Sequence, residues 1–125
     1  RLRAATFKAD RGDVAAAVTE LDAVAADSAI PQGLRDMARL RAALLLVDSG
    51  SYADVSARVE ALAVDGNALR HSAREALGLA AWKEGKAADA LKLFDQIVED
   101  QAAPQNIRQR ATLMSELIRG SGNAS

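Results

Sequence analysis

His71 is the only histidine in the chain, and Glu75 follows it four residues on, one helical turn away. A histidine one turn from a carboxylate is the smallest unit from which acid–base chemistry or a metal site could be built. A metal would need further ligands, and there is no cysteine and no second histidine to supply them. The pair therefore reads as part of a first helical turn, with His71 facing solvent or hydrogen-bonded. Glycine-rich phosphate loops, zinc spacings and Ser-His-Asp arrangements do not occur. The expectation is a protein that is not an enzyme and holds no cofactor. Arg11-Gly12-Asp13 spells an adhesion tripeptide, but its glycine is accounted for as a helix stop.

Binding chemistry is better represented. Trp82 is the only tryptophan, and an indole offers a large rigid surface with one N–H donor, the profile of a binding hot spot. On the front helix of a helical repeat it would face a concave groove beside Glu75, Leu79 and Lys83, with Leu40, Leu44 and Val47 from the preceding repeat. The competing reading packs Trp82 between repeats or against the last helix. Arg35, Arg39, Arg70, Arg74, Arg108 and Arg110 cluster near helix starts, where the helix dipole disfavours cations. Pairing with Asp36, Asp54, Glu75 or Asp89 would explain them, as would a solvated face. Capture of a peptide carboxylate is the sharper alternative.

The elements that must position these residues follow from hydrophobic period. The 125 residues are half apolar but only 3% aromatic, with a formal net charge of -1. Alanine and leucine dominate, which suits close-packed helices. The near-neutral balance gives no broad footprint for nucleic acid. Strand signals are missing, so the fold is expected to be all-α. Without cysteine the redox compartment stays open. The strongest apolar run, 42–47, is too short to span a bilayer. The chain opens at Arg1 in what reads as mid-helix, so it is expected to be a fragment from which an anchor or signal could be missing.

Apolar positions recurring at three and four residues predict helices over 2–11, 13–26, 32–47, 52–64, 68–84, 86–100 and 104–119. Gly12, Gly50 and Gly85 are read as helix stops, Asp13 as an N-cap, Pro31 and Pro104 as first-turn residues, and Asp65-Gly66-Asn67 as a turn. Aligning the three glycines exposes a repeat. Ala17, Val55 and Ala90 stand five positions on, and Leu21, Val59 and Phe94 nine positions on. The front helices align as well: Leu34-Arg35, Leu69-Arg70 and Ile107-Arg108 are offset by 35 and then 38 residues. A period in the mid-thirties built of helix, turn and helix is the signature of a helical solenoid. The domain is expected over 1–119, with units of about 1–30, 31–66 and 67–103. A final capping helix covers 104–119, and 120–125 form a flexible tail.

The best unit resembles the tetratricopeptide pattern, which implies a right-handed superhelix of about three helix pairs. Leu77-Gly78, Gly85, Ala90 and Phe94 fall at that pattern's Leu-Gly pair, turn glycine, small alanine and aromatic. Its tryptophan is replaced by Arg74 and its tyrosine by Ala81. Elsewhere the Leu-Gly pair becomes Ala42-Ala43 and Ala4-Ala5. More closely, the blocks LRDMARLRAALLLVD (34–48), RHSAREALGLAAWKEG (70–85) and PQNIRQRATLMSELI (104–118) resemble the tetratricopeptide-like domain of the ancillary Sec-translocon subunit family, in its alphaproteobacterial branch. Ala68 departs from the proline expected after Gly66-Asn67. The resemblance implies a short cytoplasmic segment, one transmembrane helix, and this domain on the periplasmic side of the bacterial inner membrane. It also implies partners among the Sec translocon and periplasmic folding factors, with a chaperone-like role toward exported proteins. A cytosolic assembly scaffold and a structural homo-oligomer are the alternatives.

Overall fold

The computed structural model describes residues 11–121. Within them lie α1 (Arg11–Ala26), α2 (Gln32–Ser49), α3 (Tyr52–Val59) running into a 3-10 turn (Glu60–Leu62), α4 (Arg70–Lys83), α5 (Ala87–Glu99) and α6 (Gln105–Gly120). No strand occurs among the described residues, so the fold class is all-α as expected. Each helix packs on the next, and α2 also packs on α4 and α4 on α6. The expected helix over 2–11 and the end of the expected tail fall largely outside the described residues.

The helix boundaries have local causes. Pro31 and Pro104 each stand at the N-cap, one residue before α2 and α6, with nearly the same backbone: φ -56, ψ 146 and φ -58, ψ 147. Ser51 caps α3 in a reciprocal capping box: Asp54 N donates to Ser51 Oγ and Ser51 N donates to Asp54 Oδ2, both at 3.1 Å. At the end of α4, Gly85 takes φ 80, Lys86 N donates to the Ala81 carbonyl at 2.9 Å and Gly85 N to the Trp82 carbonyl at 3.0 Å. That pairing closes a helix by placing one residue in the left-handed region, where glycine carries no Cβ penalty. In the turn before α4, Asn67 Oδ1 accepts from Leu69 N at 2.8 Å and shapes the chain where a proline was expected.

One glycine expectation is corrected. Gly12 and Asp13 lie inside α1, so Gly12 is not a stop and Asp13 is a first-turn acid rather than a cap. The tripeptide Arg11-Gly12-Asp13 is therefore helical backbone. Gly50 ends α2 as expected, in extended backbone at φ -106, ψ 179 and with its N–H donating to the Leu46 carbonyl. Leu46 O, 3.1 Å from the place a Cβ would take, crowds that position.

The core lies in two clusters on either side of α4. Leu40 and Ala43 of α2, Val55 and Val59 of α3, Leu62, and Ala73, Ala76, Leu77 and Ala80 of α4 form the first. Ala81 of α4, Ala87, Ala90, Phe94 and Ile97 of α5, Ala103, and Ile107, Ala111 and Ile118 of α6 form the second. Phe94, Ile97, Ile118, Val55 and Val59 are the largest fully buried side chains. Each contributes about 1.5–3 kcal/mol by leaving water. Alanine on α4 is what lets its neighbours approach from both sides. At Gly78 the approach is closest, since an added Cβ would lie 2.8 Å from Phe94 Cζ.

Candidate functional site: the seams between the front helices

Helices α2, α4 and α6 are the front helices of the sequence repeat, and the predicted groove residues lie on the first two of them. In repeat register Leu40 of α2 corresponds to Glu75 of α4, Leu44 to Leu79, and Val47 to Trp82. Leu40 is 6% exposed and belongs to the first core cluster with α4, so it holds the two helices together instead of lining a groove. Val47 packs half-buried on the same cluster. Leu79 and Trp82 pack half-buried on the second cluster, where Met114 of α6 joins them. Trp82 is thus partly buried against the second core cluster.

Polar contacts stitch the same seams. Glu75 accepts two bonds from Arg110 of α6, from Nε at 2.6 Å and Nη2 at 3.0 Å. Lys83 is exposed and its Nζ lies 3.4 Å from the Val47 carbonyl of α2. Leu44, at 45% exposure, is the most open apolar member of the predicted set. Leu40, Val47 and Lys83 therefore meet at the α2–α4 seam, Glu75 joins α4 to α6, and Leu79 and Trp82 pack on the second cluster, while Leu44 is exposed.

The arginines divide into two groups. Arg35, Arg39 and Arg108 sit at the starts of front helices but serve the carbonyl ends of the preceding back helices, whereas Arg70, Arg74 and Arg110 pair with carboxylates. Arg35 Nε donates to the Ala25 carbonyl of α1 at 2.9 Å, and Arg39 Nη2 reaches the same oxygen at 3.3 Å. Arg108 Nη2 donates to the Asp100 carbonyl just past α5 at 2.8 Å. Arg70 Nη1 donates to the Asn67 carbonyl at 2.9 Å. A cation at the carboxyl end of one helix gains what it loses at the amino end of another. Of the expected acidic partners, Asp36 pairs with Arg39 and Glu75 with Arg110. Asp54 is engaged in the capping box instead.

Asp100 is the partner the sequence reading missed. Its carboxylate accepts from Arg70 Nε at 2.7 Å and from Arg74 Nη1 at 3.5 Å, and from the backbone N of Ala102 at 3.0 Å. The hydrogen bond from Arg70 lowers its pKa to about 2, and the Ala102 amide adds to it. Arg74 also donates to Asp65 Oδ1 at 2.9 Å. His71 is buried within this cluster, contrary to a solvent-facing position, with Nδ1 3.6 Å from Asp100 Oδ2, too far for a hydrogen bond. Burial lowers its pKa, and the nearby Arg70 charge lowers it further. His71 is thus a neutral core residue. Glu75 faces Arg110 and not His71, so the acid–base pair is not assembled.

Among the described residues no group of three or more His, Asp or Glu side chains could hold a metal ion. No described helix is long and apolar enough to cross a membrane. No family model, curated protein or solved structure matches this chain.

Proposed function

We propose that this chain is a protein-interaction module, built as a right-handed tetratricopeptide-like solenoid, and that it forms the periplasmic domain of a single-pass inner-membrane accessory of the Sec translocon. The interaction reading is supported by one arrangement: α2, α4 and α6 lie against one another in chain order, and equivalent residues of α2 and α4 form the seams. A partner segment docks across the open side of these seams. Leu44, Leu79 and Trp82 provide apolar contact, and Lys83 provides a cation beside them. The translocon part is supported by the sequence blocks 34–48, 70–85 and 104–118, and by nothing else. The role is to hold or hand on exported polypeptides and folding factors, without a cofactor.

The test uses the full-length protein in its own cells. Membranes are fractionated, and protease is added from the periplasmic side. Co-sedimentation with the inner membrane and digestion of this domain in intact spheroplasts are expected. A soluble protein that resists the protease overturns the translocon reading and leaves a cytosolic scaffold. Crosslinking from position 82 in the membrane-bound protein then identifies what occupies the seam.

A further inference from the structure

The segment between the 3-10 turn and α4 carries the only Asp-Gly pair in the chain, Asp65-Gly66. We propose that Asp65 is a site of backbone isomerisation to isoaspartate, and that the turn it stands in and the Arg74 side chain hold the reaction back in the folded protein.

The chemistry needs water and nothing else. The Gly66 main-chain nitrogen attacks Asp65 Cγ. The N–Cγ bond forms, and one carboxyl oxygen leaves as water, taking the carboxyl proton and the amide proton. Water then adds to the main-chain carbonyl carbon of Asp65 in the five-membered imide and breaks its bond to the Gly66 nitrogen. The chain now runs through Cγ, one methylene longer, with a carboxylate on Cα and no net change in mass.

The atoms involved are open to this attack. The Asp65 side chain is 98% exposed. Among the described residues the Gly66 N–H makes no hydrogen bond. Glycine brings no side chain to hinder the approach, and nothing lies within 4 Å of the place its Cβ would take. Asp27 and Asp48 are each followed by serine. Asp48 lies inside α2, and Asp27 Oδ1 is engaged by Ala29 N at 2.9 Å.

The turn itself opposes ring closure. Asn67 N donates to the Val64 carbonyl at 3.1 Å, and Gly66 stands third in this four-residue turn with φ 91. Among the described residues only glycines have positive φ, so Asp65 does not, and the turn is type II. That type sets ψ of its second residue, here Asp65, to about 120°. At this ψ an L residue has the following nitrogen eclipsed with Hα, whereas the imide requires it to eclipse Cβ. The turn must open before Asp65 reacts. Exposed turns open locally at far less cost than the whole fold.

Arg74 is the second restraint. Its Nη2 donates to Asp65 Oδ1 at 2.9 Å from a side chain that is only 7% exposed, and its Nη1 is held 3.5 Å from Asp100 Oδ2. A guanidinium anchored on α4 thus pins the carboxylate and the turn with it. Two residues past Asp65, Asn67 Oδ1 accepts from Leu69 N and shapes the entry to α4. An added methylene shifts that contact and releases Arg74, so conversion loosens the joint between α3 and α4.

The test ages the 125-residue chain for weeks at mildly acidic pH, with a parallel sample held unfolded in urea. Isoaspartate is read in the tryptic peptide 59–70 by isoaspartyl methyltransferase labelling and electron-transfer fragmentation. Conversion is expected at Asp65 ahead of every other aspartate, and about tenfold more slowly in the folded chain, the factor that 1.4 kcal/mol of turn opening gives. Arg74→Met is expected to speed it about two- to fivefold, the range of an ion pair with one exposed partner. Asp100→Asn, which disturbs the same cluster without touching Asp65, is expected to leave the rate unchanged. Circular dichroism verifies that both variants stay helical. If Arg74→Met does not, molar salt on the unsubstituted chain takes its place, because screening the pair should speed conversion as well. The proposal is overturned by an unconverted Asp65 in the folded chain once the urea sample has reacted, or by equal rates in the two. It is also overturned if removing or screening the Arg74 pair changes nothing, or if Asp100→Asn accelerates conversion as much as Arg74→Met.

Discussion

Replacing Gly78 with alanine gives the sharpest test of how α4 and α5 fit. A methyl group there would lie 2.8 Å from Phe94 Cζ and 3.0 Å from both Cε atoms, inside any ordinary contact distance. Phe94 is fully buried between α4 and α6, so its ring has nowhere free to go. Forcing one carbon into such a site costs about 1–3 kcal/mol. The alanine regains up to about 1 kcal/mol of helix propensity. The net expectation is a loss of about 1–2 kcal/mol, read as a melting temperature lower by about 4–8 °C for a domain of this size. Thermal unfolding followed by circular dichroism measures it, and Phe94→Leu supplies the control. Leucine alone leaves a cavity and destabilises by about 1 kcal/mol or more. Combined with Gly78→Ala it makes room for the methyl, so the double variant is more stable than the sum of the single effects by at least about 1 kcal/mol. A Gly78→Ala variant more stable than the parent, or strict additivity, would refute the Gly78–Phe94 contact.

Acid should weaken the fold in two stages. His71 has a folded pKa below its ordinary value because of burial, so the unfolded chain takes up the proton first. Its contribution is complete above about pH 6.5 and is lost as pH falls below that. Asp100, held at about 2 by Arg70, contributes fully above its ordinary value of 3.8 and loses that contribution as pH falls toward 2. Denaturant midpoints from pH 8 to 2 should show both stages, and His71→Gln should remove only the upper one. Arg35→Met leaves the Ala25 carbonyl without its nearest donor and should cost about 1 kcal/mol in urea unfolding; no change would mean that Arg39 suffices. Trp82→Ala should cost about 2 kcal/mol, below the range for a fully buried aromatic, while weakening any partner that docks at the α4 seam. Loss of binding without loss of stability would put the indole wholly in the groove, and loss of the fold would put it wholly in the core.

Much of the helix order was legible in the residues. The three- and four-residue period located α2 to α6 within a few positions, and Gly85, Ala90 and Phe94 were matched to one repeat before their contacts were known. Gly12, inside α1, shows where that signal stops. A glycine marks a position that tolerates unusual backbone without requiring it, and among the described residues only Gly66 and Gly85 adopt positive φ. The arginines were visible as a recurring group, but their acceptors were not. Backbone carbonyls carry no sequence label, and Asp100 is 30 residues from Arg70. His71 was misjudged because its burial comes from the chain folding past α5, which no local spacing encodes. The predicted groove residues share one face of each helix by their spacing. Period alone does not separate a residue beside the next helix, such as Leu40, from one at the open edge, such as Leu44.

The side-by-side order of α2, α4 and α6 underlies the proposed interaction surface. A charge-swap cycle at Glu75 and Arg110 tests it most directly, because these side chains are 35 residues apart and meet only if α4 and α6 lie in this register. Urea unfolding at low salt is measured for Glu75→Arg, Arg110→Glu and the double exchange. Each single reversal should destabilise by juxtaposing like charges, and the exchange should restore most of the lost stability. Single and double effects that simply add would contradict the stacked front helices.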